Sequence, residues 1–315
     1  MLKFLLRRGA MLVATLLVAS FAVYGALDLA PGSPIAALTG GRTPSPEVLA
    51  ELNARYHLDD PFLVRYWNWL TSALTGDLGE SIPLRESVNT LIGQRIGVTA
   101  ALVALTSVII VVAGVGLGLL GALRRGPVDT GVLLVSTVSA AMPSFAAAVV
   151  LQFVFAVQLG WLPVLGTGTG FVDSLKHLLL PALSLAATSV ALVTRVTRTA
   201  VREELDREHV QTAVSRGLPW SDVVRRHVLR NAAIPITTVV GLTVASLIAL
   251  SAVVETAFGL NGLGAYLVQA ALNKDFAVVQ GISLVLVVAF VVTNLLVDLA
   301  YALLDPRVAL GSRAS

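Results

Sequence analysis

The 315-residue chain is 56% hydrophobic and only 13% charged, with a mean hydropathy of +0.84. Soluble domains carry about 25% charged residues, so this composition excludes an ordinary soluble domain and indicates a protein surrounded largely by lipid. The net charge of +3 is interpreted as charge held near anionic lipid headgroups, and nucleic-acid binding is not expected. Because the chain has no cysteine, disulfides, thiolate metal sites and cysteine catalysis are excluded.

Six apolar stretches are long enough to cross a bilayer as helices. A hydrocarbon core about 30 Å thick requires roughly 20 helical residues, and lipid offers no partner for an unpaired backbone group. We therefore predict an all-α polytopic membrane protein with six transmembrane helices. The predicted spans, in chain order, are Gly9–Leu27, Ile96–Leu123, a helix in the first part of Gly131–Val172, Leu178–Thr194, Asn231–Val254 and Phe276–Val297.

The positions of Lys and Arg predict the orientation of these spans. If the N-terminus is cytoplasmic, the inner segments carry 15 of the 22 basic residues. This bias follows the positive-inside rule and predicts that both termini are cytoplasmic. The first span could instead be a cleaved signal peptide, with Lys3, Arg7 and Arg8 as its charged region. Its apolar run is longer than the usual region of about 7–15 residues, which favours a retained helix.

The segment between the first two spans, residues 31–95, is the predicted extracytoplasmic region. It opens with Pro- and Gly-rich turn signals, and Pro46–Tyr56 is predicted to form a short helix. The aromatic cluster Tyr66–Leu70 is typical of an interfacial belt that anchors a surface helix. It could alternatively form a lip that receives substrate from an external partner.

Glycine and proline shape the second and third spans. Gly114 and Gly118 have the small-xxx-small spacing that allows close helix packing in lipid, with a gating hinge as the alternative. Pro143 predicts a kink in the third span, which would line a pathway or fit a neighbouring helix. Ionisable residues lie only near the ends of the spans, so we expect hydrogen bonding rather than a proton relay for Glu255.

The largest inner segment, Arg195–Arg230, is predicted to form a helix, a break and a second helix. Gly217 is suited to end the first helix in a left-handed conformation, and Pro219 suits the first turn of the next. The pattern fits both a plain cytoplasmic hairpin and a docking element that transmits a partner's movement. Five residues recur at every fourth position and are therefore predicted to share one helical face: Val201, Leu205, His209, Ala213 and Gly217.

Short motifs along the chain carry a family resemblance. Ala213 and Gly217 lie four residues apart, and Arg226–Ala232 is followed by Pro235. Six further motifs are Leu123–Gly126, Pro143–Phe145, Leu159–Pro163, His177–Leu183, Val254–Phe258 and Leu303–Arg307. With these motifs, the chain resembles the permease subunits of the dipeptide/oligopeptide/nickel group of ABC importers over about residues 1–310.

Two positions depart from the pattern of that group. His209 stands where a Tyr is usual, and Asn261 stands where a Pro is usual. These departures bear on the docking contacts and leave the family assignment unchanged.

The resemblance implies a type I ABC importer permease fold and a multi-pass location in a bacterial inner membrane. It also implies a coupling helix at about Thr199–Leu218 that sits in a cleft of an ATPase subunit. The residues assigned to this coupling are Leu205, His209, Thr212, Ala213, Arg216, Gly217 and Leu218. The residues expected at the translocation path or gate are Pro143, Ser144, Phe145 and Glu255.

The energy for transport is expected to come from other chains. None of the three lysines follows a glycine, so the chain has no Walker A motif. The resemblance implies two ATPase subunits that bind ATP and Mg, a second homologous permease, expected to form a heterodimer, and an extracytoplasmic solute-binding protein. No cofactor or metal is expected in this chain. The expected cargo is di- or oligopeptides, with nickel chelates or oligosaccharides as the alternative.

We predict four parts of the chain: a tail with the first span (1–30), the extracytoplasmic segment (31–95), a core of five spans (96–310) and a tail (311–315).

Other classes of membrane protein fit the sequence less well. A secondary transporter would show inverted repeats and buried ionisable residues. An intramembrane enzyme would show a motif such as His-Glu-x-x-His or Gly-x-Ser-x-Gly, and neither is present. A structural scaffold would tolerate bulky residues at Ala213 and Gly217.

Overall fold

The computed structural model describes residues 2–29, Glu47 and 59–304. The predicted helix over Pro46–Tyr56 lies outside this part, apart from Glu47. The helices are α1 Leu2–Asp28, α2 Phe62–Leu74, α3 Val88–Leu123, α4 Pro127–Ala141, α5 Ser144–Gln158, α6 Phe171–Leu205, α7 Glu208–Ser215, α8 Trp220–Ala257, α9 Leu263–Leu272 and α10 Phe276–Leu304. Two short strands, β1 Glu80–Ser81 and β2 Glu86–Ser87, pair antiparallel.

The apolar helices confirm the predicted all-α polytopic architecture. Among the described residues, five helices are long and apolar enough to cross a membrane, and the bent pair α4 and α5 makes a sixth if it is one span. The helices α3, α6 and α8 extend well beyond the predicted apolar stretches. Hydropathy marks only the part of a helix that matches lipid, whereas packing against neighbouring helices stabilises the polar ends as well.

Pro143 breaks the third span more sharply than predicted. The axes of α4 and α5 differ by 105°. Met142 has an extended backbone (φ −98°, ψ 113°), as expected for a residue that precedes proline. The Met142 carbonyl accepts a hydrogen bond of 3.2 Å from Thr188 Oγ1 of α6. The predicted kink is therefore confirmed, and it is a break between two helices rather than a gentle bend.

The described chain divides into two compact units. The first contains residues 99–260 together with the last part of α10, and α6 packs there against α3, α4, α5 and α8. A Cβ at Gly114 would lie 2.8 Å from Val193 Cγ1, and a Cβ at Gly118 would lie 2.5 Å from Thr197 Cβ. These distances confirm that both glycines allow close packing of α3 on α6.

The second unit contains the described residues up to 98 together with residues 261–291. Here α2 packs on α1: Tyr66 is buried, and its hydroxyl lies 2.9 Å from Ser20 Oγ. Arg65 Nη2 lies 2.6 Å from Asp28 Oδ1, which joins the same two helices. Trp67 in the same aromatic cluster remains exposed. The cluster thus has one side held by α1 and one open side.

The hairpin β1–β2 is fastened to the turn between α9 and α10 in this second unit. Ser81 Oγ donates a hydrogen bond of 2.5 Å to Asp275 Oδ2, and Asp275 Oδ1 accepts one of 3.4 Å from the Val278 N–H. Asp275 therefore caps the start of α10 while it holds the hairpin. Burial raises the pKa of the Asp275 carboxyl above its usual range.

Candidate functional site

The end of α6 is anchored by a carboxylate shared between two arginines. Asp129 of α4 accepts hydrogen bonds from Arg198 (2.5 and 2.8 Å) and from Arg202 (2.7 Å). Arg202 also donates a bond of 2.9 Å to the Gly121 carbonyl of α3. Charge-assisted bonds of this kind are stronger than neutral ones, so α6 is fixed to α3 and α4.

This anchor was missed by the sequence reasoning. The available signal was that Asp129 is the only carboxylate between Glu86 and Asp173. A lone acidic residue close to an apolar span is costly without a basic partner.

The predicted coupling helix at Thr199–Leu218 is not continuous. The helix α6 ends at Leu205, and the extended backbone of Arg207 (φ −72°, ψ 143°) separates it from α7 at Glu208–Ser215. Gln211 Nε2 donates a hydrogen bond of 3.3 Å to the Asp206 carbonyl that the break releases. The five-residue stripe predicted for one helical face is therefore divided between two helices and a turn.

The physical reason for the break is the core beneath α7. Val210 and Ala213 are 2% and 4% exposed and pack in one cluster with Val201, Val223 and Val228. In a continuous helix, His209 rather than Val210 would fall on the face shared with Val201. The break exchanges a polar ring for an apolar side chain on the buried face. Ala213 thus faces the core of its own chain.

His209 instead takes part in a polar link between α6, α7 and α8. Its Nε2 lies 3.0 Å from Glu204 Oε1. Asn231 Nδ2 donates to Glu204 Oε1 at 2.8 Å and lies 3.4 Å from His209 Nε2. This link, which we call the His209 link, joins residues that no local sequence pattern brings together. Glu204 and Asn231 were missed for that reason.

The end of α7 has the geometry that was predicted. Gly217 adopts φ +78°, and its N–H donates to the Val214 carbonyl at 2.9 Å. The Leu218 N–H donates to the Ala213 carbonyl at 3.3 Å. This pair of bonds closes the helix in a Schellman motif. Pro219 directly precedes Trp220, the first helical residue of α8, so it lies just before the first turn for which it was predicted.

An exposed surface follows α7 and the turn after it. Of the predicted coupling residues, Thr212, Arg216, Gly217 and Leu218 are exposed, Leu205 is half-buried, and the His209 side chain is 44% exposed. Val214 and Trp220 add exposed apolar area that the sequence reasoning did not single out. We call the five side chains Thr212, Val214, Arg216, Leu218 and Trp220 the docking face.

The residues predicted for a path or gate lie in two different environments. Pro143 and Phe145 are exposed at the break between α4 and α5, and Ser144 is half-buried. Glu255 is completely buried near the end of α8 and accepts a hydrogen bond of 2.8 Å from Thr99 Oγ1. Their assignment to a gate stays a prediction.

Metal ligation finds no support in the part of the chain that the structure describes. No group of three or more His, Cys, Asp or Glu side chains there could hold a metal ion. The histidines His209 and His227 have ring centroids 6.5 Å apart.

Known proteins similar to this chain agree with the fold. Residues 110–310 match the family described as "Binding-protein-dependent transport system inner membrane component", and residues 1–103 match its N-terminal counterpart. The oligopeptide transport system permease protein OppB of Escherichia coli (strain K12) is 35% identical over 310 residues, which cover 98% of this chain and 99% of the relative. A putative peptide transport system permease protein of Brucella abortus (strain 2308) is 36% identical over 313 residues, covering 98% and 99%.

Two solved structures share the fold at lower identity. The MetNI methionine ABC transporter in inward-facing conformations has a TM-score of 0.55 at 17% identity, covering 68% of this chain and 96% of the other. An amino acid ABC transporter with histidines has a TM-score of 0.53 at 18% identity, covering 67% and 93%. From these matches and its apolar helices, the chain belongs to the family of binding-protein-dependent transport system inner membrane components, multi-pass permeases with the type I ABC importer fold.

Proposed function

We propose that this chain is the permease subunit of an importer that carries di- or oligopeptides across the inner membrane. The observation that carries the proposal is the identity of 35–36% with OppB and a putative peptide permease over almost the full length of each chain. The names of these relatives support peptides over nickel chelates or oligosaccharides as cargo. Selection of the cargo rests largely with the extracytoplasmic binding protein that delivers it.

The proposed energy source is a pair of separate ATPase subunits that bind ATP and Mg. The chain lacks a Walker A lysine, and the docking face presents apolar side chains beside Arg216. A partner cleft with an apolar floor and an acidic rim would complement this face. Rotation of α7 by that partner would pass to α6 and α8 through the His209 link. A second homologous permease, forming a heterodimer, completes the proposed assembly.

The roles proposed for the individual residues follow their positions. Thr212, Arg216, Gly217 and Leu218 contact the ATPase, whereas Leu205, His209 and Ala213 position α7 against its own chain. Pro143, Ser144, Phe145 and Glu255 are retained as candidates for the path or gate, and the four-part division at residues 30, 95 and 310 is retained as well. The bias of Lys and Arg supports cytoplasmic termini and a cytoplasmic docking face.

Uptake measured in proteoliposomes tests the proposed function. The assembly with its ATPase subunits, second permease and binding protein should accumulate radiolabelled trialanine only when ATP is present on the ATPase side. Leu218→Asp should abolish uptake while the protein still inserts, because a carboxylate would be buried in an apolar cleft. Lys274→Gln, on the opposite side of the membrane in this topology, is the matched control and should retain uptake. Trialanine uptake driven by an ion gradient without ATPase subunits would refute the proposal.

A further inference from the structure

A groove lies between α6 and α8 of the first unit. Its volume is about 440 Å³, within the range of about 300–1,000 Å³ that is usual for small-molecule sites. Arg195, Glu203 and Glu204 line it from α6, Arg207 from the following turn, and Asn231 and Pro235 from α8. The apolar part of the lining comes from Val196, Ala200, Ala232 and Pro235. The groove therefore combines apolar side chains with charges of both signs.

Two of these charges are available to a ligand. Glu203 and Arg207 are four residues apart, but the extended backbone at Arg207 removes the helical geometry in which they would pair. Within the described residues, no ion pair of 4.0 Å or less involves Glu203 or Arg207. Glu204, by contrast, already belongs to the His209 link.

Arg195 supplies a guanidinium at the other end of the groove. It donates a hydrogen bond of 3.1 Å from Nη2 to Thr137 Oγ1, which fixes the side chain and leaves its other N–H groups for a ligand. Pro235 has no N–H to donate to the Asn231 carbonyl one turn earlier, so that acceptor also lacks its usual helical partner. The groove thus offers donors and acceptors at separate positions.

The spacing of the charges selects a ligand length. Arg195 and Glu203 are eight residues apart on α6, which corresponds to about 12 Å along the helix axis. An extended chain covers about 3.3–3.6 Å per residue, so three or four residues span this distance. A peptide of that length with free termini carries a carboxylate at one end and an ammonium group at the other.

We propose that this groove binds short zwitterionic peptides on the cytoplasmic side, with the carboxylate at Arg195 and the ammonium group at Glu203. The inference rests on the proposed function and deepens it, because the ligand is the transported product. Glu204 and Asn231 form both a wall of the groove and part of the His209 link. A bound peptide would therefore contact residues that join α6, α7 and α8.

A peptide fits this groove better than a covering subunit does. The core of a stable protein interface is apolar and depleted of charged residues. Here the groove is lined by two arginines and two glutamates. A second permease seated in it would have to bury these charges.

Direct binding tests the proposal. Trialanine labelled with tritium is dialysed against the assembled transporter in lipid nanodiscs, prepared without the binding protein. Glu203→Gln and Arg195→Gln should each weaken binding by about tenfold, the loss of one charge-assisted contact. N-acetyl-trialanine amide, which has neither terminal charge, should fail to compete. Arg225→Gln, an exposed residue outside the groove, is the matched control and should leave binding unchanged.

Two results would overturn the proposal. The first is binding of trialanine that neither groove substitution weakens. The second is a crosslink to the second permease, formed by a photoreactive amino acid in place of Thr199, that trialanine does not prevent. The groove would then be an interface between the two permeases. If ATP-driven uptake of trialanine persists in either case, the proposed function stands and only the groove site is lost. If the wild-type assembly takes up no peptide, the proposed function itself fails.

Discussion

The close packing of α3 on α6 gives the sharpest test of the structure. A Cβ added at Gly118 would lie 2.5 Å from Thr197 Cβ and 2.8 Å from the Thr194 carbonyl oxygen. Carbon atoms pack optimally at about 3.5–4.0 Å, so the two helices would have to separate by about 1 Å. Because one of the contacted atoms belongs to the backbone, a change of side-chain rotamer cannot relieve the overlap.

Gly118→Ala should therefore destabilise the protein, and Gly116→Ala is the matched control on the same helix. Overpacking of this kind costs about 1–3 kcal/mol. A Cβ at Gly116 meets no atom within 4 Å, so that substitution should gain up to about 1 kcal/mol from the higher helix propensity of alanine. The two variants change the composition identically and differ only in the surface that they meet.

The assay is thermal unfolding of both variants in detergent, followed by peptide uptake in proteoliposomes. The midpoint should fall for Gly118→Ala and stay the same or rise for Gly116→Ala. Uptake should fall with the former, because α6 leads directly into α7, for which we propose contact with the ATPase. Equal midpoints for the two variants would refute the inferred contact between α3 and α6.

Three further predictions concern the anchor of α6, the end of α7 and the outer hairpin. Asp129→Asn should lower the midpoint of thermal unfolding and reduce uptake, because Arg198 and Arg202 lose their charged acceptor. Asp222→Asn, in an exposed pair at 4.0 Å, should change stability by less than about 0.5 kcal/mol. Gly217 has φ +78°, so Gly217→Val should cost about 1–2 kcal/mol of unfolding free energy and impair uptake. Gly217→Asn should retain most of the uptake, because Asn tolerates this conformation. An equal loss of uptake in both variants would contradict the role of backbone strain. The pKa of the Asp275 carboxyl is higher in the folded protein than in the unfolded chain, so the folded protein holds this proton more tightly. The resulting stabilisation is complete below the pKa of the unfolded chain and is lost as pH rises through the pKa of the folded protein. Thermal unfolding across about pH 4–7 should show that slope, and Asp275→Asn should remove its contribution; an unchanged slope in the variant would contradict the assignment.

Local chemistry made several features predictable from the sequence. The apolar stretches indicated the membrane helices, because lipid requires long apolar segments with internally paired backbone groups. Gly217 indicated a helix end and Pro143 a disruption, since each depends on the backbone preferences of one residue and its neighbours. The spacing of Gly114 and Gly118 predicted close packing without identifying the partner helix.

The sequence by itself determined the membrane class, the apolar spans and the family resemblance. Tertiary structure alone decided that Asp129 pairs with Arg198 and Arg202 and that α6 ends before α7. It also decided that Glu204 and Asn231 meet His209 and line a charged groove. These features depend on contacts between residues that are distant in the chain. A periodic pattern reports which residues share a helical face, but only the packed core selects Val210 over His209 for burial.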